Sequence, residues 1–489
     1  MAKERRYRRD GAYYVVSPVD VVESPQFFAW LCGFGADAQL LAPASAAERM
    51  KAYIEEIAAL YRGCKEIFAF PHTPWYTAAN HTGPQCGASR TNGGRAMNYV
   101  FISPNYPLTC TYFCERLHQA GVNVLGVGDA PYDGLSDQLK GALTEYYQVS
   151  ALEDYDQIYR AVAFFIHKYG RIDWLESLNE YWLPTDARLR TDFNIAIGTR
   201  ADGVDRLVDK ARMKQVFLDA GIPTAAQHIV TTREAGRAFA KKVGYPVIVK
   251  PSIGVGANGA WKLKSQAELD DFYADLPTVP YVMEQFLDGD ICTYDAILNS
   301  ACEPLFESTN TYPPVMDAVV NDEDVYFYVT PEPPAALRDL GRKTAKAFGA
   351  GQRFVHFEFI HLKSDCKGVG KAGDYAAMEV NMRPSGGHDP DMMNYAQSVD
   401  VYRIYAEMVT ADKRSFPEAA ERWYCAYAGR KDGHDYKHSH DEIAARYGAS
   451  LVMCEEMPPI DWPQMGRYAY MARFRSEEEM REFFAYTLR

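Results

Sequence analysis

A lysine at the end of an apolar run is followed at once by a turn rich in glycine. Residues 247–250 read Val-Ile-Val-Lys, and three glycines follow at Gly254, Gly256 and Gly259. Glycine lets the backbone approach a polyphosphate closely, and Lys250 would place a cation beside the free N–H groups. The stretch is neither a P-loop nor a dinucleotide fingerprint, because no Gly-Lys-Ser/Thr ends the turn and a strand follows it. It indicates either a phosphate-binding turn or an ordinary glycine hairpin with a surface lysine.

Carboxylate, amide and guanidinium groups recur at alternate positions further along the chain. Glu379, Asn381 and Arg383 are separated by single apolar residues, and Glu358 stands between two phenylalanines. Because successive side chains of a strand point to opposite faces, the polar groups share one face. Carboxylate and amide oxygens are ligands for Mg²⁺ or Mn²⁺, and an arginine beside them would contact a phosphate or a carboxylate. The alternative is a surface ladder of salt bridges, which the apolar neighbours disfavour.

Two different patterns of secondary structure surround these groups and must position them. Residues 98–128 have the pattern of a strand, a helix and a strand, and similar alternation continues to about Gly198, which predicts a doubly wound parallel sheet. From Val208 a helix, a strand and a second helix precede the lysine. Residues 281–400 are rich in strands broken by glycine and polar turns, which predicts an antiparallel sheet.

These patterns give a domain organisation. We expect an α/β domain, an α+β domain and a smaller α+β subdomain at the C-terminus, over residues 97–200, 201–415 and 416–489. Residues 1–62 read as a small α/β segment of their own, with a strand from Ala12 and helices that begin at Ser24 and Ser45. Residues 63–96 have no sustained periodicity, which is typical of a disordered linker.

Composition excludes several classes of protein. The chain has 489 residues, 47% of them hydrophobic, and a formal net charge of -13, which argues against a nucleic-acid partner. Its ten N-terminal residues are basic, yet no apolar run follows them, so we expect a cytoplasmic protein with no membrane partner. The ten cysteines are expected to be free thiols. His434, His438 and His440 have a spacing that could chelate a metal, but their polar stretch favours an exposed loop.

Taken in order, these features resemble the ATP-grasp superfamily over residues 97–489. The resemblance implies a Rossmann-like pre-ATP-grasp domain followed by a two-lobed ATP-grasp fold that binds ATP with Mg²⁺ or Mn²⁺. The nucleotide-binding positions that it implies are Lys210, Lys250, Ser252, Gly254, Gly256, Gly259, Glu284, Phe286, Leu287 and Asp290. The adenine would be contacted by the backbone of 284–287, and Asp290 would hold the ribose, with Asp295 a neighbouring acid of unknown role.

The same resemblance implies a metal site and a reaction. The metal ligands would be Glu358, Glu379 and Asn381, with Arg383 and Lys250 as the catalytic residues at the reacting phosphate. The implied activity is that of a carboxylate-amine ligase, in which a carboxylate becomes an acyl phosphate that an amine then attacks. The partners would be ATP, a small carboxylate and a small amine, and a homodimer stays open. A single ATP-grasp unit disfavours carbamoyl phosphate synthase, and the lack of a biotinyl-lysine motif disfavours biotin carboxylase.

The N-terminal segment supports a second interpretation. Residues 24–61 resemble the C-terminal part of WYL-type transcriptional regulators and contain no catalytic motif. The alternative function is therefore an ATP-binding sensor or regulatory protein with a ligand-sensing segment. Residues 1–96 are expected to be dispensable for nucleotide binding. Whether they are a fused domain or an upstream coding fragment ahead of a true start at Met97 stays open.

Overall fold

The structure is a computed structural model that describes residues 5–9, 12–16, 51, 95–254, 259–312, 324–459 and 462–489. The chain divides into two compact units, Met1–Cys86 and Gly87–Arg489. In the first unit, β1 (Arg5–Arg9) and β2 (Ala12–Val16) form an antiparallel hairpin. The strand predicted from Ala12 is confirmed over those five residues. The predicted helix starts lie outside the described residues, as does all but the end of the predicted linker.

The second unit begins with a four-stranded parallel sheet in the order β5-β4-β3-β6. Its strands are β3 (Asn98–Ile102), β4 (Asn123–Gly128), β5 (Glu145–Gln148) and β6 (Trp174–Glu176). Its helices are α1 (Cys110–Gln119), α2 (Asp137–Ala142), α3 (Tyr155–Tyr169) and α4 (Leu183–Asp192). All five residues of β3 are buried, as expected for a strand covered on both faces. The predicted parallel α/β region is confirmed.

A small lobe follows after two helices, α5 (Asp205–Val208) and α6 (Lys210–Asp219). Its four-stranded sheet has the order β7-β10-β8-β9. The strands are β7 (Gln227–Ile229), β8 (Val247–Pro251), β9 (Trp261–Leu263) and β10 (Tyr281–Gln285), and the helices are α7 (Arg233–Val243) and α8 (Gln266–Ala274). Apolar side chains of these helices and strands form one core cluster, so the lobe has its own hydrophobic centre.

A nine-stranded antiparallel sheet forms the large lobe. Its order is β16-β15-β11-β13-β14-β17-β19-β18, with β12 paired to β11. The strands are β11 (Gly289–Leu298), β12 (Pro304–Ser308), β13 (Asn310–Tyr312), β14 (Val325–Val329), β15 (Arg353–Leu362), β16 (Tyr375–Asn381), β17 (Tyr424–Arg430), β18 (Leu451–Glu456) and β19 (Tyr468–Phe474). The predicted antiparallel sheet is confirmed, and the C-terminal strands continue it because β17 pairs with β14.

Helices complete the large lobe. They are α9 (Ala335–Phe348), α10 (Asp389–Gln397), α11 (Val401–Ala411), α12 (His440–Tyr447), α13 (Trp462–Met465) and α14 (Glu477–Thr487). Both α12 and α14 begin with a capping box, in which a serine and a glutamate satisfy each other's backbone N–H groups. Among the described residues, no helix is both long and apolar enough to cross a bilayer.

The division into two units bears on nucleotide binding. Every described residue of the lobes, where the resemblance implies that ATP binds, lies in the second unit, so we expect a chain that begins at Met97 to bind ATP with the affinity of the full chain. Titration calorimetry with ATP and Mg²⁺ on the full and shortened chains would measure this. A large loss of affinity in a shortened chain that still unfolds cooperatively would contradict the prediction.

Candidate active site

The amino end of α6 is tied to the turn that follows β8. Asp209 caps the helix, since its Oδ1 accepts the Ala211 N–H at 2.9 Å, and the Ser252 hydroxyl donates to the same oxygen at 2.5 Å. The Lys210 N–H donates to the Ser252 carbonyl at 2.8 Å, and its Nζ lies 2.9 Å from the Gly254 carbonyl oxygen. The first predicted phosphate-binding lysine therefore lies beside the glycine turn.

The glycine turn itself is described only at its two ends. Gly259 has φ +73°, a left-handed conformation that favours glycine, and a Cβ there would approach the Tyr281 hydroxyl to 3.0 Å. Gly256 lies outside the described residues. The two ends show that the turn leaves β8 and returns in β9, as a strand-turn-strand pattern requires.

A buried carboxylate of the small lobe joins a lysine of its own sheet to a lysine of α6. Glu284 Oε2 lies 2.7 Å from Lys250 Nζ, and its Oε1 lies 2.9 Å from Lys214 Nζ. The Gln227 amide donates to the same Oε1 at 2.9 Å. Glu284 is thus surrounded by donors, and each of the charged side chains is at most 14% exposed. The sequence predicted only a backbone role for position 284, so this cluster was missed.

The charges of this cluster are set by burial and by each other. Burial opposes ionisation of Glu284, but the two lysines outweigh it and hold the pKa of the carboxyl well below its usual range. Burial also opposes the charge of Lys250, yet Glu284 and Glu379 raise its pKa. For Lys214 burial prevails and lowers the pKa. Lys250 is therefore held as a cation at the base of the turn.

The predicted metal ligands come together on two adjacent strands of the large lobe. Glu358 on β15 stands opposite Glu379 on β16, and Asn381 Nδ2 lies 3.5 Å from Glu358 Oε1. Like charges placed directly opposite on paired strands destabilise a sheet unless a cation lies between them. Glu379 Oε1 is 3.2 Å from Lys210 Nζ, which links these acids to the lysines.

The donor set fits a magnesium ion better than a transition metal. The described residues contain no cluster of three histidine, cysteine or acidic side chains that would hold a metal by themselves. Two carboxylates and one amide are what Mg²⁺ needs when nucleotide phosphates supply further oxygens. His434, His438 and His440 have different partners, since they contact Asp324, the Tyr486 ring and the Tyr470 hydroxyl in turn.

Arg383 lies just beyond β16 with its guanidinium uncommitted to an acid. Its Nη1 donates to the Pro384 carbonyl at 2.9 Å, and among the described residues it forms no ion pair. The charge of Arg383 nevertheless acts on two carboxyl groups. Burial raises the pKa of Glu180 and Arg383 opposes that rise, whereas for Glu358 the charges of His356 and Arg383 outweigh burial and lower the pKa. The position is therefore not part of a surface ladder of salt bridges, and it is available to an anion.

The predicted adenine and ribose positions follow β10. Phe286 and Leu287 lie in the short segment between β10 and β11, where the Lys262 ammonium stands 4.1 Å from the centre of the Phe286 ring. Asp290 on β11 pairs with Lys363 at 2.6 Å, and both side chains are partly exposed. Asp295 is fully buried and is linked through His356 to Glu358, one of the predicted metal ligands.

His356 connects Asp295 with Glu358. Its Nδ1 lies 2.7 Å from Asp295 Oδ1, and its Nε2 lies 3.4 Å from Glu358 Oε1. Burial opposes the charged imidazole, but the two carboxylates prevail and raise the pKa of His356 to about 10. The sequence pattern His-Phe-Glu could have predicted this contact, because alternation along β15 puts His356 and Glu358 on one face.

The small and the large lobe form an ATP-grasp fold, in which Lys210 of α6 contacts Glu379 of the large sheet. Residues 209–279 match the family model described as "Carbamoyl-phosphate synthase L chain, ATP binding domain", and residues 3–58 match the WCX domain. The WCX match is consistent with the resemblance of the N-terminal segment to WYL-type regulators.

Solved structures with the same fold are distant in sequence. The L-amino acid ligase from Bacillus licheniformis superposes with a TM-score of 0.58 at 15% identity, over 80% of this chain and 96% of that one. N5-carboxyaminoimidazole ribonucleotide synthetase from Thermotoga maritima superposes with a TM-score of 0.54 at 14% identity, over 79% and 96%. These likenesses show the fold.

Curated relatives match over shorter parts. The carbamoyl phosphate synthase large chain of Agathobacter rectalis is 31% identical over 117 residues, which are 23% of this chain and 11% of the relative. Protein y4rH of Sinorhizobium fredii is 23% identical over 305 residues, which are 60% of this chain and 61% of the relative. The chain thus spans between about a tenth and three fifths of the length of these two relatives.

Proposed function

We propose that this protein is an ATP-dependent carboxylate-amine ligase, which converts a small carboxylate into an acyl phosphate and transfers the acyl group to a small amine. The observation that carries the proposal is the meeting of Lys210 with Glu379, at 3.2 Å, where the phosphate-binding turn reaches the paired acids. The L-amino acid ligase and the ribonucleotide synthetase described above share the fold, and one is named a ligase and the other a synthetase. Their likeness supports the class of reaction and leaves the substrate open.

The roles of the residues follow from their charges. Lys210 and Lys250, with the turn from Ser252 to Gly259, would bind the phosphates of ATP. Glu358, Glu379 and Asn381 would hold Mg²⁺, which supplies positive charge to the phosphates when bound. Phe286, Leu287 and Asp290 would contact the nucleoside. Reaction then depends on positioning and on neutralisation of charge, as phosphoryl transfer requires.

Arg383 would orient the group that is transferred. It follows two metal ligands on β16, and its guanidinium has no carboxylate partner among the described residues. A planar pair of N–H donors can bind the γ-phosphate and the substrate carboxylate at once. The substrate oxygen attacks phosphorus, the bond to ADP breaks, and Arg383 keeps the two anions in line. Within this proposal the regions 97–200, 201–415 and 416–489 keep their expected roles as the preceding domain, the ATP-grasp domain and its C-terminal part.

The proposal is tested by the release of ADP. Purified protein is incubated with ATP and Mg²⁺, with a pool of small carboxylates, a pool of small amines, or both. We expect ADP release that requires a carboxylate and that rises when amines are added. ADP release that neither pool changes would contradict the ligase.

A regulatory protein is the second candidate, because residues 3–58 match the WCX domain. A pure sensor would bind ATP without carboxylate-dependent turnover. The paired acids Glu358 and Glu379 favour the ligase, since a protein that only binds nucleotide has no need of a complete metal site. The same ADP assay, combined with an ATP-binding titration, separates the two functions.

Arg383→Lys should distinguish the effect of the planar guanidinium from the effect of its positive charge. Lysine keeps the positive charge but cannot offer two parallel donors. We expect turnover to fall by about one to two orders of magnitude, or about 1.4 to 2.7 kcal/mol of transition-state stabilisation, while the affinity for ATP changes little. Steady-state kinetics and nucleotide titration measure the two effects. Full turnover in the lysine variant would remove Arg383 from the mechanism.

A further inference from the structure

An acidic side chain from the parallel sheet reaches the large lobe beside Arg383. Glu180 begins a single 3₁₀ turn, Glu180–Trp182, which follows β6 at the carboxyl end of the parallel sheet. Ligands of open α/β proteins bind beyond the carboxyl ends of the strands. The sequence patterns gave no reason to single out this residue.

Buried contacts fix the position of β6 against the large lobe. Glu176, the last residue of β6, lies 3.1 Å from Arg353 on β15, and Arg190 pairs with the other oxygen of Glu176 at 3.0 Å. The same Arg353 nitrogen donates to the Met382 carbonyl at 3.1 Å. All three ionic side chains are at most 4% exposed. The segment that carries Glu180 is therefore held beside the end of β16.

The carboxylate of Glu180 has an unused oxygen. The Met382 N–H acts to lower the pKa of the carboxyl group, whereas Oε2 is buried and has no hydrogen-bond partner among the described residues. A buried acceptor without a donor is costly, and such atoms in a site indicate a missing ligand. Met382 stands between Asn381 and Arg383, so the Glu180 carboxyl group lies beside the end of β16 that carries both of these residues.

The missing ligand should be a donor of hydrogen bonds. Burial and Glu379 raise the pKa of Glu180 to about 7, against the lowering effect of Arg383, so the carboxyl can hold or release a proton near neutral pH. A second anion would be repelled by Glu180 and Glu379, whereas an amine supplies the N–H that Oε2 lacks. In the proposed reaction the amine is the substrate whose binding residue has not been assigned.

We propose that Glu180 is a catalytic residue that binds the amine substrate through Oε2 and takes its proton. This inference rests on the proposed ligase function. The amine nitrogen forms a bond to the carbonyl carbon of the acyl phosphate. The bond from that carbon to the phosphate oxygen breaks, and phosphate leaves with the electron pair. The N–H proton moves to Glu180 Oε2, and solvent then removes it.

Glu180→Gln separates this role from the first half of the reaction. The full chain is given ATP, Mg²⁺ and the twenty standard L-amino acids, with or without hydroxylamine, which attacks acyl phosphates without a catalytic base. We expect hydroxamate formation to match the unchanged protein, while amide products fall about a hundredfold, as for loss of a general base. Glu180→Asp, which keeps a carboxylate, should retain more amide synthesis.

A carboxylate at the opposite edge of the same sheet provides a matched control. Glu145 is the first residue of β5 and pairs with Lys168 at 2.7 Å, so Glu145→Gln should change neither product. Equal loss of hydroxamate and amide in Glu180→Gln, or no loss of amide, would overturn the role of Glu180. If the unchanged protein forms no hydroxamate with any amino acid, the proposed ligase function is wrong for amino-acid substrates. The role of Glu180, which depends on that function, is then rejected as well.

Discussion

Glu379→Gln is expected to slow ATP turnover at least about a hundredfold at ordinary Mg²⁺ concentrations, a loss of about 2.7 kcal/mol. The amide keeps the shape of the side chain and one oxygen, but it lacks the negative charge that Mg²⁺ requires of its protein ligands. Glu379 stands opposite Glu358 on paired strands, so the substitution halves the charge offered to the ion. The Mg²⁺ concentration at half-maximal rate should rise.

The measurement is turnover as a function of Mg²⁺ at saturating ATP. Glu456→Gln is the control, because Glu456 lies in the same large sheet, on β18, and its one ion pair among the described residues is an exposed pair with Arg467. Such pairs contribute little, so this variant should behave as the unchanged protein. If Glu379→Gln keeps both its rate and its Mg²⁺ requirement, the metal assignment is wrong.

Glu284→Gln should destabilise the small lobe by about 3 to 5 kcal/mol, because removing one partner of a buried pair leaves the other charge uncompensated. Here two lysines lose their partner, Lys250 at 2.7 Å and Lys214 at 2.9 Å. Saturating ATP with Mg²⁺ should return part of the stability, since phosphates would offer Lys250 a new anion. Urea unfolding with and without nucleotide measures both effects.

An exposed glutamate gives the comparison for this variant. Glu332 lies on the surface of the large lobe, and Glu332→Gln should change the free energy of unfolding by no more than about 0.5 kcal/mol. A loss of stability in Glu284→Gln no larger than that of Glu332→Gln would show that the lysines do not depend on Glu284.

Local alternation was enough to predict part of the site. Glu379 and Asn381 follow a period of two on one strand, and Lys250 ends an apolar run, so each could be found without knowing what pairs with it. The parallel sheet of residues 97–200 and the antiparallel sheet of the large lobe were predictable because local patterns of apolar residues indicate strands and helices. The roles of the individual residues remain predictions.

The other parts of the fold and of the site depend on pairings between segments that are distant in the sequence. Glu284 joins Lys214 and Lys250 only because β10 lies beside β8 and near α6, and no spacing in the sequence encodes that contact. The C-terminal strands extend the large sheet because β17 pairs with β14, about a hundred residues away. Glu180 enters the site through the packing of β6 against β15. Register and tertiary packing override local pattern in all these cases.

The central claim is that a carboxylate oxygen becomes bonded to the γ-phosphorus of ATP. The direct measurement is transfer of ¹⁸O from a labelled carboxylate pool to inorganic phosphate during turnover with amines, followed by mass spectrometry. The mechanism predicts one ¹⁸O atom in each phosphate formed, and no transfer when carboxylates are left out. Phosphate that carries no ¹⁸O while amide product accumulates would contradict the acyl phosphate and the account built on it.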